Sequence, residues 1–160
     1  MTVYVLGAGA SRHAGYPLAS QMATGLFAWM LRSANTDYCS AAEGLSERFG
    51  PSPNIEDVIT ELQAQIKTLD TKSEEDRLER ALLAHWRGSL VDAVREWFGE
   101  IHERPASGYA AFANGIVRPG DAVVTFNYDD SLERELRLAG KWDIHRGYGF
   151  PVGGCRGIES

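Results

Sequence analysis

The stretch VYVLGAGASRHAGYP, residues 3–17, puts a short apolar run directly ahead of three glycines and a proline. The run from Val3 to Leu6 has the character of a buried parallel strand, and Gly7 marks a sharp turn of the chain. Gly7 would permit that turn, and Gly9 would let the backbone approach a phosphate closely. The N–H groups that follow would attract anions, and Ser11 could add a hydroxyl donor. Two interpretations are open: a phosphate cradle, or an ordinary strand-to-helix turn.

The composition describes an ordinary globular chain. Its 160 residues, 44% of them hydrophobic, suffice for one core, so we expect a single domain over residues 1–160. The net charge is −6, and residues 70–104 mix both signs, which argues against nucleic-acid binding. The two cysteines, Cys39 and Cys155, form no C-x-x-C pair, so no metal site is expected and a reducing cytoplasm fits best. There is neither a secretion signal nor an apolar run of membrane-spanning length, so no membrane association is expected.

Hydrophobic periodicity predicts several helices and a second strand. The helices are predicted over residues 17–30, 55–69, 74–98, 107–115 and 130–139. Asn54 and Ser73 are the expected N-caps of the second and third helix. Residues 33–53 lack strong periodicity and are expected to be mostly connection. Ala122 to Phe126 is predicted to be a second buried strand, followed by a polar turn.

This order of elements is typical of an α/β domain. It predicts a Rossmann-like parallel sheet flanked by helices, with a helix-rich insertion between the first two strands. Ligands of such sheets bind at the carboxyl ends of the strands, so residues 7–17 and 127–130 would line one crevice if the strands are neighbours. The two strands are fewer than such sheets normally have, and five glycines fall within residues 147–157. We therefore expect an incomplete sheet and a chain truncated on its C-terminal side.

Four motifs occur together in the order of a known family. They are GAGAS (7–11), AGYP (14–17), NIEDVI (54–59) and VVTFNYDDSLEREL (123–136). Together they resemble the sirtuin-like NAD-binding domain, especially the bacterial branch found in NAD-degrading defence proteins. The resemblance implies that the glycine turn holds NAD and that the N-Y-D turn corresponds to the family's T-Q-N-I-D motif. By position it implies NAD contacts from Gly7, Ala8, Gly9, Ala10, Ser11, Pro17, Thr125, Asn127 and Asp129, the first five to the phosphates and the last two at the nicotinamide ribose.

The chemistry of NAD cleavage suits the residues of the N-Y-D turn. Loss of nicotinamide develops positive charge on the ribose, so the site needs a fixed amide or carboxylate that orients water and stabilises that charge. Asn127 can do this without changing protonation, which makes Asn127 and Asp129 the catalytic candidates. The alternative is structural: both residues could form an Asx turn and cap the helix that begins near Asp130.

Several departures from the family limit the activity that the resemblance implies. Leu18, Ala19 and Ser20 replace the Asp-Phe-Arg of deacylating sirtuins, and the zinc cysteines are absent, so protein deacylation is disfavoured. Phe126 replaces the family's glutamine, and no His-Gly pair carries the catalytic histidine; His145 is followed by Arg146. The expected function is hydrolysis of NAD to nicotinamide and ADP-ribose by the full-length protein in antiphage defence, with a fused sensor or effector domain or a homo-oligomer as partner. The alternative is a non-catalytic module that senses NAD or ADP-ribose.

Overall fold

The computed structural model describes residues 1–70, 72–127 and 129–143, and over these ranges the chain is α/β and mostly helical. The elements are β1 (Val3–Leu6), a 3₁₀ helix (Ala8–Ala14), α1 (Ala19–Arg32), α2 (Thr36–Phe49), α3 (Ile55–Thr68), α4 (Glu74–His102), α5 (Ser107–Gly115), β2 (Ala122–Thr125) and α6 (Ser131–Leu138). The chain divides into two compact units. We call Met1–Gly15 with the chain from Arg104 onward the strand unit, and Tyr16–Glu103 the helical unit. The prediction of one domain stays a prediction.

In the strand unit, β1 and β2 lie side by side in a parallel sheet that is not closed. Val3 pairs with Ala122 and Leu6 pairs with Thr125, so the two strands begin and end together. The Phe126 N–H extends the pairing by donating to the Leu6 carbonyl at 3.1 Å. The strands are neighbours, which is the condition under which the two polar turns were expected to come together, and their carboxyl ends meet at one edge of the sheet.

The two faces of this sheet differ in their covering. On one face, Tyr4 packs edge-on against Phe112 of α5, with ring centroids 5.1 Å apart. On the other face, Val3, Val5 and Val124 are exposed. Within the described part of the chain, helices therefore cover this sheet on one face, whereas the sequence predicted a sheet flanked by helices.

A charged turn fixes the start of both strands. Gly120 has φ +87°, a left-handed conformation that favours glycine, and it closes the turn before β2. The Asp121 carboxylate accepts from the Thr2 N–H at 2.7 Å and from the Arg118 N–H at 3.0 Å. These two hydrogen bonds lower the pKa of Asp121. The turn thus links the first residues of β1 and β2 by hydrogen bonds, and this fixes how the two strands are aligned along their length.

In the helical unit, the long α4 packs against α1, α2 and α3 around an apolar core. The fully buried side chains of this core include Leu26, Met30, Leu45, Leu62, Leu83 and Leu90. The predicted caps are confirmed: the side chain of Asn54 accepts from the Glu56 N–H, and that of Ser73 from the Asp76 N–H, both at 2.9 Å. Trp86 and Trp97 of α4 pack against this core.

The expectation for residues 33–53 was wrong, because most of this stretch is helix. Helix α2 begins after Asn35, whose side chain accepts from the Asp37 N–H at 2.9 Å. Its buried face consists of Tyr38, Ala41, Ala42 and Leu45. Alanine contributes little to a hydrophobic pattern, and Ser, Glu and Gly fill the positions between, so the periodicity is weak in the sequence. Tertiary packing against α1 and α4 stabilises the helix instead.

Candidate functional site

A cluster of polar side chains lies where the two strands end. Ser11 comes from the 3₁₀ helix after β1, and Asn127 and Asp129 come from the turn after β2. Tyr109 comes from α5. Ser11 is 1% exposed and Tyr109 is 3% exposed, whereas Asn127 and Asp129 are partly buried. The parallel pairing of the strands explains why residues more than a hundred positions apart meet here.

Four hydrogen bonds join these side chains. Ser11 Oγ donates to Asp129 Oδ2 at 2.5 Å and lies 2.8 Å from Tyr109 Oη. Asn127 Nδ2 donates to Ser11 Oγ at 2.7 Å and to Tyr109 Oη at 2.9 Å. We call this set of four residues the Ser11 network.

The donors and acceptors of the Ser11 network can be assigned. A carboxylate only accepts, so the single Ser11 proton goes to Asp129, and Tyr109 donates its proton to Ser11 Oγ. Both N–H groups of Asn127 are then used, one by Ser11 and one by Tyr109. With the Asn127 amide reversed, its oxygen would face an acceptor on Ser11 Oγ. The network therefore fixes the orientation of the carboxamide.

This orientation leaves one polar atom without a partner. Asn127 Oδ1 is buried and accepts no hydrogen bond from any residue that the structure describes. Leaving a buried acceptor unsatisfied costs about 1–3 kcal/mol. A donor from outside the chain, such as a hydroxyl, an amide N–H or a water molecule, would remove that cost.

The turn that carries Asn127 and Asp129 also has a structural role. Asp129 Oδ1 accepts from the Ser131 N–H at 3.1 Å at the start of α6, and the Asn127 N–H donates to Thr125 Oγ1 at 3.2 Å. The capping role raised as an alternative is therefore present for Asp129. It does not extend to the Asn127 side chain, which hydrogen-bonds to Ser11 and Tyr109 instead.

Tyr109 is the residue of this cluster that sequence reasoning missed. Burial raises the pKa of its hydroxyl, and the negative charge of Asp129 adds to the effect, so Tyr109 keeps its proton. Its backbone N–H donates to His13 Nε2 at 3.2 Å, and the two rings pack edge-on with centroids 4.7 Å apart. A side chain on the preceding Gly108 would come within 2.8 Å of the His13 ring. The only signal in the sequence is a tyrosine on a short alanine-rich helix, which also fits an ordinary core residue.

His13 is engaged through both ring nitrogens. Because Nε2 accepts from Tyr109, the proton resides on Nδ1, which donates to the Ala10 carbonyl at 2.7 Å. The structure gives His13 a role in holding Tyr109 and Ala10 together.

Gly7 and Gly9 have open space beside their backbone. Gly7 has φ −113° and ψ −179°, an extended conformation that any residue adopts, so the expected need for glycine in a tight turn is wrong at this position. The left-handed glycine of this segment is Gly15, with φ +97°. A Cβ built on Gly7 or Gly9 would meet no atom within 4 Å. Neither backbone conformation nor packing against residues 1–70, 72–127 and 129–143 therefore accounts for glycine at these two positions.

A second carboxyl group lies near the Ser11 network. Glu133, on α6, has a buried Oε2 without a hydrogen-bond partner in the described residues. Burial raises the pKa of the Glu133 carboxyl, and the charges of Asp129 and Asp130 act in the same direction. Glu133 also lines an open cavity of about 820 Å³ bounded by β2 and α6.

The predicted site residues divide into three groups. The structure brings Ser11, Asn127 and Asp129 together, and it places residues 7–10 and Thr125 at the same edge of the sheet. The Ser11 hydroxyl donates to Asp129, so it is not the open phosphate donor that the sequence suggested. Pro17 belongs to the helical unit, and its NAD contact stays a prediction. His145 lies outside the described residues.

Neither a metal site nor a membrane span is found in residues 1–70, 72–127 and 129–143. No three His, Cys, Asp or Glu side chains there are grouped so that they could hold a metal ion. None of the helices there has both the length and the apolar content needed to cross a membrane. Comparison with protein-family models, curated proteins and solved structures found no match.

Proposed function

We propose that this chain is a sirtuin-like NAD-binding domain of Rossmann-like architecture. In the full-length protein it hydrolyses NAD to nicotinamide and ADP-ribose. The glycine turn at residues 7–11 binds the phosphates, and Asn127 and Asp129 lie at the nicotinamide ribose. Its proposed setting, the cytoplasm and antiphage defence with a fused domain or a second copy as partner, rests on the motif resemblance alone.

The unpartnered Asn127 Oδ1 is the observation that carries this proposal. It is a buried acceptor, held in a fixed orientation, at the carboxyl end of a parallel strand. Ligands of α/β sheets bind at that end, and ribose hydroxyls and water are the donors that NAD hydrolysis would bring there. An acceptor held in place before the substrate arrives needs no reorganisation as positive charge develops on the ribose.

The open space at Gly7 and Gly9 supports the phosphate part of the proposal. Glycine at a position that the chain itself leaves open is explained when a ligand approaches the backbone there. Backbone N–H groups in a glycine-rich turn after a strand bind phosphates well. This arrangement differs from the ordinary dinucleotide fingerprint, because Arg12 stands where a third glycine would be expected.

A second candidate function is NAD or ADP-ribose binding without catalysis. His13 contacts the Ser11 network, but both of its ring nitrogens are engaged, so it offers no free base. Asp129 already accepts hydrogen bonds from Ser11 and from the Ser131 N–H. A site that orients the ribose but activates no water would suit a sensor.

Asn127→Ala separates catalysis from binding in the full-length protein. If the amide acts mainly in the transition state, nicotinamide release at saturating NAD falls on the order of a hundredfold, while NAD affinity changes much less. Release is normalised to the folded fraction. Asn114→Ala is the matched control, because among the described residues the Asn114 side chain donates to the Ala110 carbonyl within α5 and not to the Ser11 network.

Each outcome of this experiment decides between the candidates. NAD binding without nicotinamide release from the parent protein favours the sensor. Unchanged release from Asn127→Ala, with only a loss of stability, removes Asn127 from the catalytic residues and leaves it a turn residue. Absence of both NAD binding and ADP-ribose binding by the parent protein overturns both candidates.

A further inference from the structure

We infer that Tyr109 is a positioning residue: it holds the Asn127 carboxamide with its oxygen unpaired and so makes the site selective for a hydroxyl donor on the ligand. The inference rests on the proposed function, because it takes the ligand to be NAD. It assigns the side chains of the Ser11 network to recognition of the ribose and leaves the phosphates to the backbone of residues 7–11.

The donor inventory of the network supports this assignment. The Ser11 proton goes to Asp129, the Tyr109 proton goes to Ser11, and both Asn127 N–H groups are used internally. The Asn127 side chain therefore has one group left for a ligand, the acceptor oxygen Oδ1. A phosphate oxygen is also an acceptor, so it would not pair with Asn127 Oδ1. A ribose hydroxyl is a donor and would pair.

The Tyr109 hydroxyl is needed for this arrangement. It accepts one Asn127 N–H and supplies the proton that Ser11 Oγ accepts. Without the hydroxyl, one Asn127 N–H loses its acceptor, and the carboxamide loses one of the two contacts that orient it. The carboxamide can then rotate and present nitrogen where the ligand needs oxygen.

Tyr109 is itself held at several points, as a positioning residue requires. Its backbone N–H donates to His13 Nε2, its ring packs edge-on against the His13 ring, and its side chain is 3% exposed. Gly108 leaves room for the His13 ring to lie against α5. These contacts do not involve the Tyr109 hydroxyl, so replacing tyrosine by phenylalanine keeps the ring in place and removes only the hydroxyl.

The test is Tyr109→Phe, with NAD and two deoxy analogues as probes. The analogues lack either the 2′ or the 3′ hydroxyl of the nicotinamide ribose, and affinities are measured by calorimetry. We expect one analogue to bind the parent protein about tenfold more weakly than NAD, since one hydrogen bond is lost. We expect Tyr109→Phe to lose a similar factor for NAD and to distinguish NAD from that analogue by less than about threefold.

A second measurement makes failure of this inference distinguishable from failure of the proposed function. In the ligand-free parent protein, the two side-chain N–H signals of Asn127 are expected to be protected from solvent exchange, and in Tyr109→Phe that protection is lost. Tyr4→Phe is the control, because Tyr4 lies in the same unit and packs against Phe112. If the parent protein binds no NAD, the proposed function fails, and the Asn127 signals still decide whether Tyr109 positions the amide. Unchanged Asn127 signals, or fully additive losses in the calorimetry, overturn the positioning role.

Discussion

Gly9 is a glycine that neither a left-handed backbone nor a contact with the described residues requires, and the phosphate approach suggested for it stays a prediction. In the sequence analysis, Gly7 would permit a tight turn and Gly9 would let a phosphate approach the backbone. The structure removes the reason given for Gly7, because its φ of −113° suits any residue. What remains is the open space beside both residues. Substituting a side chain there tests the proposed ligand without disturbing a packed contact.

Gly9→Val is expected to weaken NAD binding more than tenfold, because the branched side chain would occupy the space that a phosphate needs. The free energy of unfolding should change by less than about 1 kcal/mol, since a Cβ at residue 9 meets no atom of the described residues within 4 Å. Titration calorimetry and urea denaturation measure the two quantities. Gly115→Val is the control, because its Cβ also meets no atom, in the same unit but at the end of α5. Equal NAD affinities for Gly9→Val and the parent protein would contradict the phosphate assignment.

The sequence could predict part of the Ser11 network but not all of it. Asn127 and Ser11 were predictable because motif spacing and the parallel-strand rule place both at the carboxyl ends of strands. Tyr109 was not, because it reaches Ser11 across 98 positions through its hydroxyl. Periodicity describes which face of α5 is buried, but it does not tell a core tyrosine from one that orients another side chain.

The contact between α2 and α4 depends on a glycine that the sequence did not single out. Gly44 of α2 lies directly against the Trp86 ring of α4, and a Cβ at this position would overlap that ring. Gly25 of α1 has a similar relation to Trp97, whose nearest ring atom would lie 2.8 Å from an added Cβ. The large rings of α4 therefore fit against small residues of its neighbours. Sequence periodicity found the tryptophans but not their partners, because interhelical fit depends on pairs far apart in the chain.

Gly44→Ala is expected to lower the free energy of unfolding by about 1–3 kcal/mol, because a packed ring or the helix must shift to admit a methyl group. Gly88→Ala is the matched control: Gly88 is an exposed glycine inside α4 whose Cβ would meet no atom. There the better helix propensity of alanine should leave stability unchanged or raise it by up to about 1 kcal/mol. Urea denaturation compares the variants. If both alanines had the same effect, the close fit between α2 and α4 would be refuted.

Across the chain as a whole, local signals predicted the elements and topology predicted where polar turns meet. The caps at Asn54 and Ser73 and the helices predicted over residues 107–115 and 130–139 were derived from short-range patterns, and the structure has these helices at Ser107–Gly115 and Ser131–Leu138. Helix α2 was not, because its hydrophobic pattern is weak in the sequence and its buried face becomes apparent only from tertiary packing. The division into a strand unit and a helical unit was also absent from the pattern, since it arises from long-range contacts.

The stability of the chain should fall at alkaline pH because of one buried hydroxyl. Tyr38 is 5% exposed and donates to Glu96 Oε1 at 2.7 Å. Burial, followed by the hydrogen bond to Glu96 and the charges of Glu96 and Asp92, raises the pKa of Tyr38 from 10.0 to about 12. Between these two pH values the unfolded chain has lost the tyrosyl proton while the folded chain retains it. The folded state binds more protons there, so the stabilisation is complete below pH 10 and is lost as the pH rises through about 12.

Tyr38→Phe is expected to flatten this alkaline decline. The variant cannot ionise at this position, so its free energy of unfolding should depend less on pH than that of the parent protein above pH 10. Part of the decline should remain, because the pKa of Tyr109 is also raised by burial. Urea denaturation at intervals from pH 8 to about pH 11.5 gives the two curves, with the window set by the shifted titration. Tyr4→Phe controls for loss of a tyrosine as such. If the free energies of unfolding of Tyr38→Phe and of the parent protein changed in parallel with pH, Tyr38 would titrate alike in the folded and the unfolded chain. The hydrogen bond to Glu96 would then have no effect on stability at alkaline pH.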